Sequence, residues 1–416
     1  MEESNRHQVS EADIVIWGAT GFVGRLLAGY LWSNYGKTDR LRLALGGRRQ
    51  SALETLHREL QADDRLPLIV GDAFDVDFLD EITKNSRLVV STVGPYAKYG
   101  SPLVSACAKN GCDYCDLAGE PQWMQRMIHS HQKEAEASGA RIVHACGFDS
   151  IPSDMGVHFL QAEAKQRYGH TMNRVKMRVQ AMNGGASGGT VASMINLAEE
   201  SRRDPEVTRI LKNPYVLAPE GMQSGVNQPN VTRAEFDADL RNWLAPFVMA
   251  LINERIVHRS NALISHAYGR YFKYDEALVM GEGMKGRVRA RLTAGLMGAF
   301  FWATAFAPTR ALMNRFFLPK PGEGPSPEKQ EKGFFKLLFI GQNDAGKQLH
   351  IKVKGNRDPG YGATCRMLGE SAVCLLRDIS KEDLSGGFWT PATAMGDALI
   401  ERLSANAGLS FEIVSS

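Results

Sequence analysis

The sequence lacks several features that would place it quickly in a functional class. Six cysteines among 416 residues are too few for a scaffold built on disulfides and are typical of a reducing compartment. Forty-nine basic residues nearly balance 46 acidic ones, and the resulting formal net charge of +3 argues against nucleic-acid binding through bulk charge. The polar residues 1–13 contain no apolar core of a secretory signal, and no apolar run reaches the roughly 20 residues of a membrane span. These absences favour a cytoplasmic globular protein.

The first third of the chain alternates short apolar runs with helical patterns. Strand patterns lie at 12–17, 41–45, 66–70, 87–93, 114–116 and 140–145. This alternation predicts an α/β fold, a Rossmann-type doubly wound parallel sheet with helices on both faces. We expect a disordered tail at 1–11, a dinucleotide-binding domain at 12–150, an α+β substrate or lid domain at 151–355, and a C-terminal helical segment at 356–416 that packs back on the core.

A glycine-rich loop follows the first predicted strand directly and opens a helix. Gly18 permits a tight turn, Gly21 lets the backbone approach a pyrophosphate, and Gly24 lets the helix pack closely on the strand. The free N–H groups and partial positive charge of the helix N-terminus favour a bound phosphate. A glycine-rich turn without a ligand is the alternative, but the strand before the loop and the helix after it favour dinucleotide binding.

The second strand indicates which dinucleotide the domain prefers. It ends in Arg48 and Arg49 and carries no carboxylate where NAD enzymes hold the ribose 2′-hydroxyl. Because guanidinium groups match a 2′-phosphate in charge and geometry, the sequence predicts NADP(H) rather than NAD(H), although one of the two arginines is expected to be a solvated turn residue. The predicted cofactor-binding residues are Gly18, Ala19, Thr20, Gly21, Phe22, Val23, Gly24, Arg48, Arg49, Asp72, Thr92, Val93, Gly94 and Pro95.

Candidate catalytic residues follow the ends of the later strands. Tyr96 follows the fourth strand, at the edge where ligands of doubly wound sheets bind, and is the predicted proton donor. Asp116, Glu120 and Asp149 follow strand ends as well, so we expect them at the same edge, either as a general acid or as groups that cap a helix or fix a loop by a hydrogen bond. For Asp149-Ser150, ahead of Ile151 and Pro152, the pattern favours a cap.

Cys112 and Cys115 have a spacing that also occurs in metal sites. They straddle the start of a strand, and no second cysteine pair or histidine cluster accompanies them. We therefore expect buried packing and no bound metal.

Several motifs in a fixed order resemble the saccharopine dehydrogenase-like oxidoreductases, and most closely their trans-acting enoyl reductase branch. The motifs that carry the resemblance lie at 18–24, 93–100, 113–120, 147–154, 187–190, 358–362 and 386–392. The resemblance implies a nicotinamide-dependent oxidoreductase, with reduction of an activated double bond in an apolar, lipid-like substrate as the preferred reaction. Saccharopine-type imine reduction and a non-catalytic nucleotide-binding protein at a lipid surface remain alternatives.

The segment 292–307 is apolar all round and has arginines on both sides. It is shorter than a membrane span, so the sequence predicts either a buried helix or peripheral membrane contact through 287–315. A homodimer is a further open alternative, and no nucleic-acid partner is expected.

Overall fold

The computed structural model describes residues 11–38, 41–185, 188–305 and 326–414. Residues 1–10 of the expected tail and 306–315 of the expected membrane contact therefore lie outside the described residues. The strands are β1 Ala12–Trp17, β2 Leu43–Gly47, β3 Leu68–Val70, β4 Ser86–Ser91, β5 Asp113–Asp116, β6 Arg141–Val143, β7 Arg174–Asn183, β8 Glu235–Asp237, β9 Asn242–Pro246, β10 Lys273–Gly281, β11 Phe334–Gln342, β12 Gln348–Gly355, β13 Gly387–Trp389 and β14 Leu409–Val414. The α-helices are α1 Phe22–Leu31, α2 Gln50–Glu59, α3 Val76–Lys84, α4 Tyr96–Tyr99, α5 Ser101–Asn110, α6 Pro121–Ser138, α7 Ile151–Tyr168, α8 Gly188–Arg203, α9 Pro205–Lys212, α10 Ala250–Leu263, α11 Gly283–Ala305, α12 Pro327–Glu331, α13 Thr364–Arg377 and α14 Pro391–Arg402.

The first sheet is parallel and has the strand order β13-β6-β5-β4-β1-β2-β3. In its central strand, Ile14 and Ile16 point into one hydrophobic cluster, and Val15 and Trp17 point into another. Alternate side chains are buried on both faces because helices cover both. The predicted doubly wound fold is confirmed, and the connections diverge between β1 and β4, where such sheets bind ligands.

The second sheet is mixed and has the order β14-β12-β11-β7-β10-β9-β8. Its strands β7 and β10 run parallel, whereas the neighbouring pairs are antiparallel. Helix α7 leaves the first sheet after β6 and packs against β11 and β12, while α10 packs against α7 and β10. These helices place the second sheet beside the carboxyl edge of the first.

The C-terminal segment contains strands as well as the expected helices. β13 extends the first sheet beside β6, and β14 extends the second sheet beside β12. Helix α13, before β13, packs on α1, and α14, between β13 and β14, packs on α7 and α13. The sequence analysis missed both strands. β13 is only three residues long, and β14 has one buried residue, Leu409, at its start.

Two further sequence expectations concern the cysteines and membrane-spanning helices. All six cysteines are free thiols in buried positions, as the packing interpretation predicts. Within the described ranges, no helix is both long enough and apolar enough to cross a membrane.

Candidate active site

The loop between β1 and α1 depends on its glycines in different ways. Gly18 has a φ of +86°, and a Cβ there would lie 2.6 Å from Cγ2 of Val93. A Cβ on Gly24 would lie 2.2 Å from the carbonyl oxygen of Gly18, so the first turn of α1 packs directly on the loop. At Gly21, which precedes α1 with a φ of −71°, the nearest heavy atom to an added Cβ is the Gly18 oxygen at 3.3 Å. Gly21 therefore meets only the loop's own backbone on one side and lines the cleft on the other.

A cleft of about 550 Å³ lies in front of this loop at the carboxyl edge of the first sheet. Thr92 joins its two sides, because its Oγ1 donates to the carbonyl oxygen of Gly18 at 3.1 Å. Of the predicted cofactor residues, those that line the cleft are Gly18, Thr20, Gly21, Phe22, Val23, Arg48, Arg49, Asp72, Thr92, Val93, Gly94 and Pro95. Ala19 is buried beneath the loop, and Gly24 is buried in α1, so these two support the loop from behind.

The cleft has the charges that a 2′-phosphate requires. Arg48 and Arg49 are exposed, and neither guanidinium group has a hydrogen-bond or ion-pair partner among the described residues. The carboxylate of Asp72 accepts a hydrogen bond from the backbone N–H of Phe74 at 2.9 Å and so fixes its own turn. The glycine loop and the free guanidinium groups together fit an NADP-type dinucleotide.

A second cavity, here called the chamber, adjoins the cleft and has a volume of about 230 Å³. Val23, Thr92, Gly94 and Gly189 line both spaces, so the chamber opens onto the end of the cleft where the sequence predicts the nicotinamide. Its apolar lining consists of Val23, Leu117, Phe148, Met182, Met194, Leu197, Phe247, Val248, Met249, Leu251, Ile252, Phe301 and Pro359. No lysine or arginine of the described chain lines it.

Tyr96 lines the chamber, but its hydroxyl group is engaged elsewhere. The hydroxyl donates to the carbonyl oxygen of Ser91 at 3.0 Å and accepts from the N–H of Leu117 at 3.1 Å. Burial, with the nearby Asp116 carboxylate second, raises the tyrosine pKa well above its usual value. These contacts make Tyr96 a link between the ends of β4 and β5, and they give its selection as the proton donor no support.

Asp149 is the carboxylic acid that lines the chamber. Its side chain accepts a hydrogen bond from its own backbone N–H and has no side-chain partner in the described structure. Burial first, and then the neighbouring Asp116 carboxylate, raise the pKa of Asp149 to about 7. The expectation that Asp149 caps a helix is wrong, because α7 has Ser150 at its N-cap and no side-chain capping bond.

The other two carboxylates of the predicted trio are used for structure. Asp116 Oδ1 accepts from the N–H groups of Ala118 and Ala145, and Oδ2 lies 2.7 Å from Nδ1 of His144. Glu120 accepts from the first two N–H groups of α4 and from the hydroxyl of Ser193. The three acids do meet at one edge of the sheet, but only Asp149 is available to a ligand.

Sequence reasoning missed most of the chamber wall, because its residues come from segments far apart in the chain. The loop after β7 meets the turn before α13, and a Cβ on Gly184 would lie 2.2 Å from Oδ1 of Asp358. A Cβ on Gly360 would lie 2.1 Å from the carbonyl oxygen of Gly185. The glycine clusters themselves were the available signal, since close backbone approach is a common reason for such clusters.

Comparisons with known proteins agree with this geometry. The family model described as the saccharopine dehydrogenase NADP binding domain matches residues 14–143. A protein of Mycobacterium tuberculosis (strain H37Rv), provisionally named a trans-acting enoyl reductase, is 39% identical over 413 residues, which cover 97% of each chain. The trans-acting enoyl reductase of Mycobacterium ulcerans (strain Agy99) is 36% identical over 406 residues, covering 94% of this chain and 96% of its own. The chain belongs to the trans-acting enoyl reductase branch of the saccharopine dehydrogenase-like family.

A solved structure supports the same family fold. Apo saccharopine dehydrogenase from Saccharomyces cerevisiae is 11% identical, with a TM-score of 0.50 over 97% of this chain and 99% of that one. At this identity the likeness concerns the fold alone. Family membership makes the protein an oxidoreductase with a domain of the NADP-binding type.

Proposed function

We propose that this family member uses NADPH to reduce an activated carbon–carbon double bond in an apolar, lipid-like substrate. The observation that carries the proposal is the chamber, which adjoins the nicotinamide end of the cleft and combines an apolar wall with a single carboxylic acid, Asp149. The names of its relatives, which contain the words enoyl reductase, support the same reaction.

The first domain supplies the residues that hold the cofactor. The N–H groups at the start of α1 would receive the pyrophosphate, and Gly21 lines the cleft in front of them. Arg48 and Arg49 would hold the 2′-phosphate and so distinguish NADPH from NADH. Thr92 and Gly94 line both the cleft and the chamber, and Val93 and Pro95 line the cleft, so these four residues would hold the nicotinamide ribose. When bound, NADPH supplies a hydride to the β-carbon of the substrate.

Asp149 holds the proton that completes the reduction. A pKa of about 7 leaves much of this carboxyl group protonated at neutral pH, which is the state that a general acid needs. As the α-carbon gains negative charge, Asp149 delivers its proton there, so the double bond gains one hydride and one proton. The apolar wall excludes water and thereby protects both transfers.

The chamber also disfavours the saccharopine-type alternative. A substrate of that type carries several carboxylates, and each would need a cationic or hydrogen-bonding partner on leaving water. The described wall offers no lysine or arginine, and ionised Asp149 would repel such a substrate. Contacts with the alkyl part of a lipid-like substrate require no charged partner.

The test measures NADPH oxidation with enoyl thioesters of short and long alkyl chains. We expect turnover that improves with chain length, and a loss of about 10²- to 10⁴-fold in kcat for Asp149→Asn with unchanged NADPH affinity. Activity of the wild type should fall as pH rises through about 7, because Asp149, faced by Asp116 and Tyr96, loses its proton there.

Tyr96→Phe serves as the matched control, since it removes a chamber-lining hydroxyl without removing the acid. It should keep most of the activity and the same pH profile. Full activity in Asp149→Asn would eliminate the assigned acid, and oxidation of NADPH by imino acids but by no enoyl thioester would refute the proposed reaction.

A further inference from the structure

Helix α11 carries a row of exposed apolar side chains. Met284, Val288, Leu292 and Leu296 recur every four residues, and their exposed fractions are 67%, 48%, 61% and 71%. Neighbours at this spacing lie on one face of a helix. The opposite face, which includes the buried residues Gly286 and Ala290, packs against β9, β10 and α8. The helix is therefore apolar on both faces, whereas soluble helices normally present a polar face to water.

The same helix is strongly basic at its N-terminal end. Lys285, Arg287, Arg289 and Arg291 lie within its first nine residues, and α11 contains no aspartate or glutamate. The side chains of Lys285, Arg289 and Arg291 are exposed and form no ion pair with any described residue. Arg287 instead lies over the ring of Trp243, 5.4 Å from its centroid. Free cations beside an apolar row complement a surface that is anionic outside and apolar within.

The chamber opens to the surface beside the C-terminal part of α11. Phe301 on α11 and Met182 at the end of β7 line the chamber, and they are also 40% and 42% exposed. Both side chains therefore mark an opening of the chamber beside α11. A molecule held in a bilayer next to α11 would enter the chamber through this opening.

We infer that the exposed row of α11 docks the protein on an anionic lipid bilayer, with the helix lying along the surface and the chamber mouth beside it. A bilayer fits better than a protein partner, because a convex row of flexible apolar side chains offers no recess or directed hydrogen bond for a specific protein surface. The docking itself is independent of the reaction, and only the delivery of substrate rests on the proposed function.

The experiment is flotation of the full chain with two kinds of vesicle, phosphatidylcholine alone and phosphatidylcholine mixed with phosphatidylglycerol. At low salt the wild type should float with the mixed vesicles and much less with the neutral ones. Leu292→Glu with Leu296→Glu should abolish flotation. Arg289→Glu with Arg291→Glu should weaken binding by at least about fivefold for each charge changed.

Two control variants keep the comparison matched. Tyr271→Glu introduces a charge at a side chain that is 69% exposed on another surface, and Lys133→Glu with Arg270→Glu changes the net charge by the same amount as the arginine pair. Both should float like the wild type. Unchanged NADPH affinity in all variants establishes that the cofactor cleft remains folded, since none of these residues lines it.

Several outcomes would overturn the inference. One is a wild type that stays with the soluble fraction, and another is a Leu292 and Leu296 variant that still floats. Equal flotation of the wild type with neutral and anionic vesicles would also contradict the inference. Self-association that the same variant abolishes, without any flotation, would assign this face to a second copy of the chain. A protein that floats as expected but reduces no enoyl substrate would retain the docking surface and lose the proposed function.

Discussion

At the residue scale, the contacts of each polar side chain decide what that side chain can do. Tyr96, Asp116 and Glu120 all lie at the edge where ligands bind, yet their polar atoms hold backbone groups together. Asp149 is the exception among the predicted acids, because burial and a like charge raise its pKa without a hydrogen-bonding side chain beside it. A chemical role follows from this availability and not from position alone.

Arg48 gives the first prediction at this scale. Replacing Arg48 with alanine should weaken NADPH binding by about 1.5–3 kcal/mol, or roughly 10- to 150-fold in Kd, because a charge-assisted contact to the 2′-phosphate is lost. NADH binding should scarcely change. Isothermal titration calorimetry measures the Kd values of NADPH and NADH for each variant. Arg49→Ala tests the neighbouring arginine in the same way, and Arg270→Ala removes an exposed positive charge elsewhere as the control. An equal loss for NADPH and NADH would show that Arg48 does not read the phosphate.

At the element scale, the β1–loop–α1 unit separates structural glycines from the ligand-facing one. Gly21→Val should leave the fold intact, since φ is ordinary there and only the Gly18 oxygen, at 3.3 Å from an added Cβ, must shift slightly, but it should abolish NADPH binding by filling the pyrophosphate space. Gly24→Ala should instead lower thermal stability, because its Cβ would lie 2.2 Å from a backbone oxygen. Circular dichroism measures the folding and thermal stability of the Gly21 and Gly24 variants, and titration with NADPH measures their cofactor affinity. Normal NADPH affinity in a folded Gly21 variant would remove the phosphate assignment from this loop.

Another element, α11, shows why an apolar segment is hard to interpret from sequence. A buried helix and a helix at a lipid surface have similar composition, and the difference lies in what covers each face. In the described structure one face packs on the second sheet and the other does not. The peripheral membrane contact expected from the sequence stays a prediction, now assigned to particular side chains.

At the scale of the whole molecule, several buried carboxyl groups link stability to pH. Burial is the main cause that raises the pKa of Asp149 to about 7, of Glu276 to about 7 and of Asp154 to about 6. Unfolded carboxyl groups titrate near 4, so the folded state binds these protons more tightly. Their contribution to stability is present below about pH 4 and is lost as pH rises towards 6–7.

The corresponding prediction concerns the unfolding temperature. The wild type should lose thermal stability between about pH 4 and pH 7, the range set by the unfolded and folded pKa values of these groups. The side chain of Asp149→Asn cannot ionise, so the unfolding temperature of this variant should lie above that of the wild type at pH 8 and closer to it at pH 5. The same variant should be the poorer enzyme. Differential scanning calorimetry measures the unfolding temperatures of the variant and the wild type at both pH values. Asp64→Asn, at an exposed position, is the control. A stability advantage that is equal at both pH values would contradict the buried-charge explanation.

The sequence by itself determined six of the seven strands of the first sheet and the glycine loop with its two arginines, because these depend on local signals. Each signal is contained in a short segment of sequence: the strand–helix alternation, the glycine spacing and the arginines after β2. In a parallel sheet the carboxyl ends of the strands lie at one edge, so these segments meet there. The chamber was decided only by tertiary structure, since residues near 149, 182, 250, 301 and 360 meet there through the second sheet and the returning C-terminal segment. The contacts of Tyr96 and the surroundings of Asp149 were also decided there. Hydrogen-bond partners and desolvation are properties of the packed molecule, and no spacing along the chain encodes them.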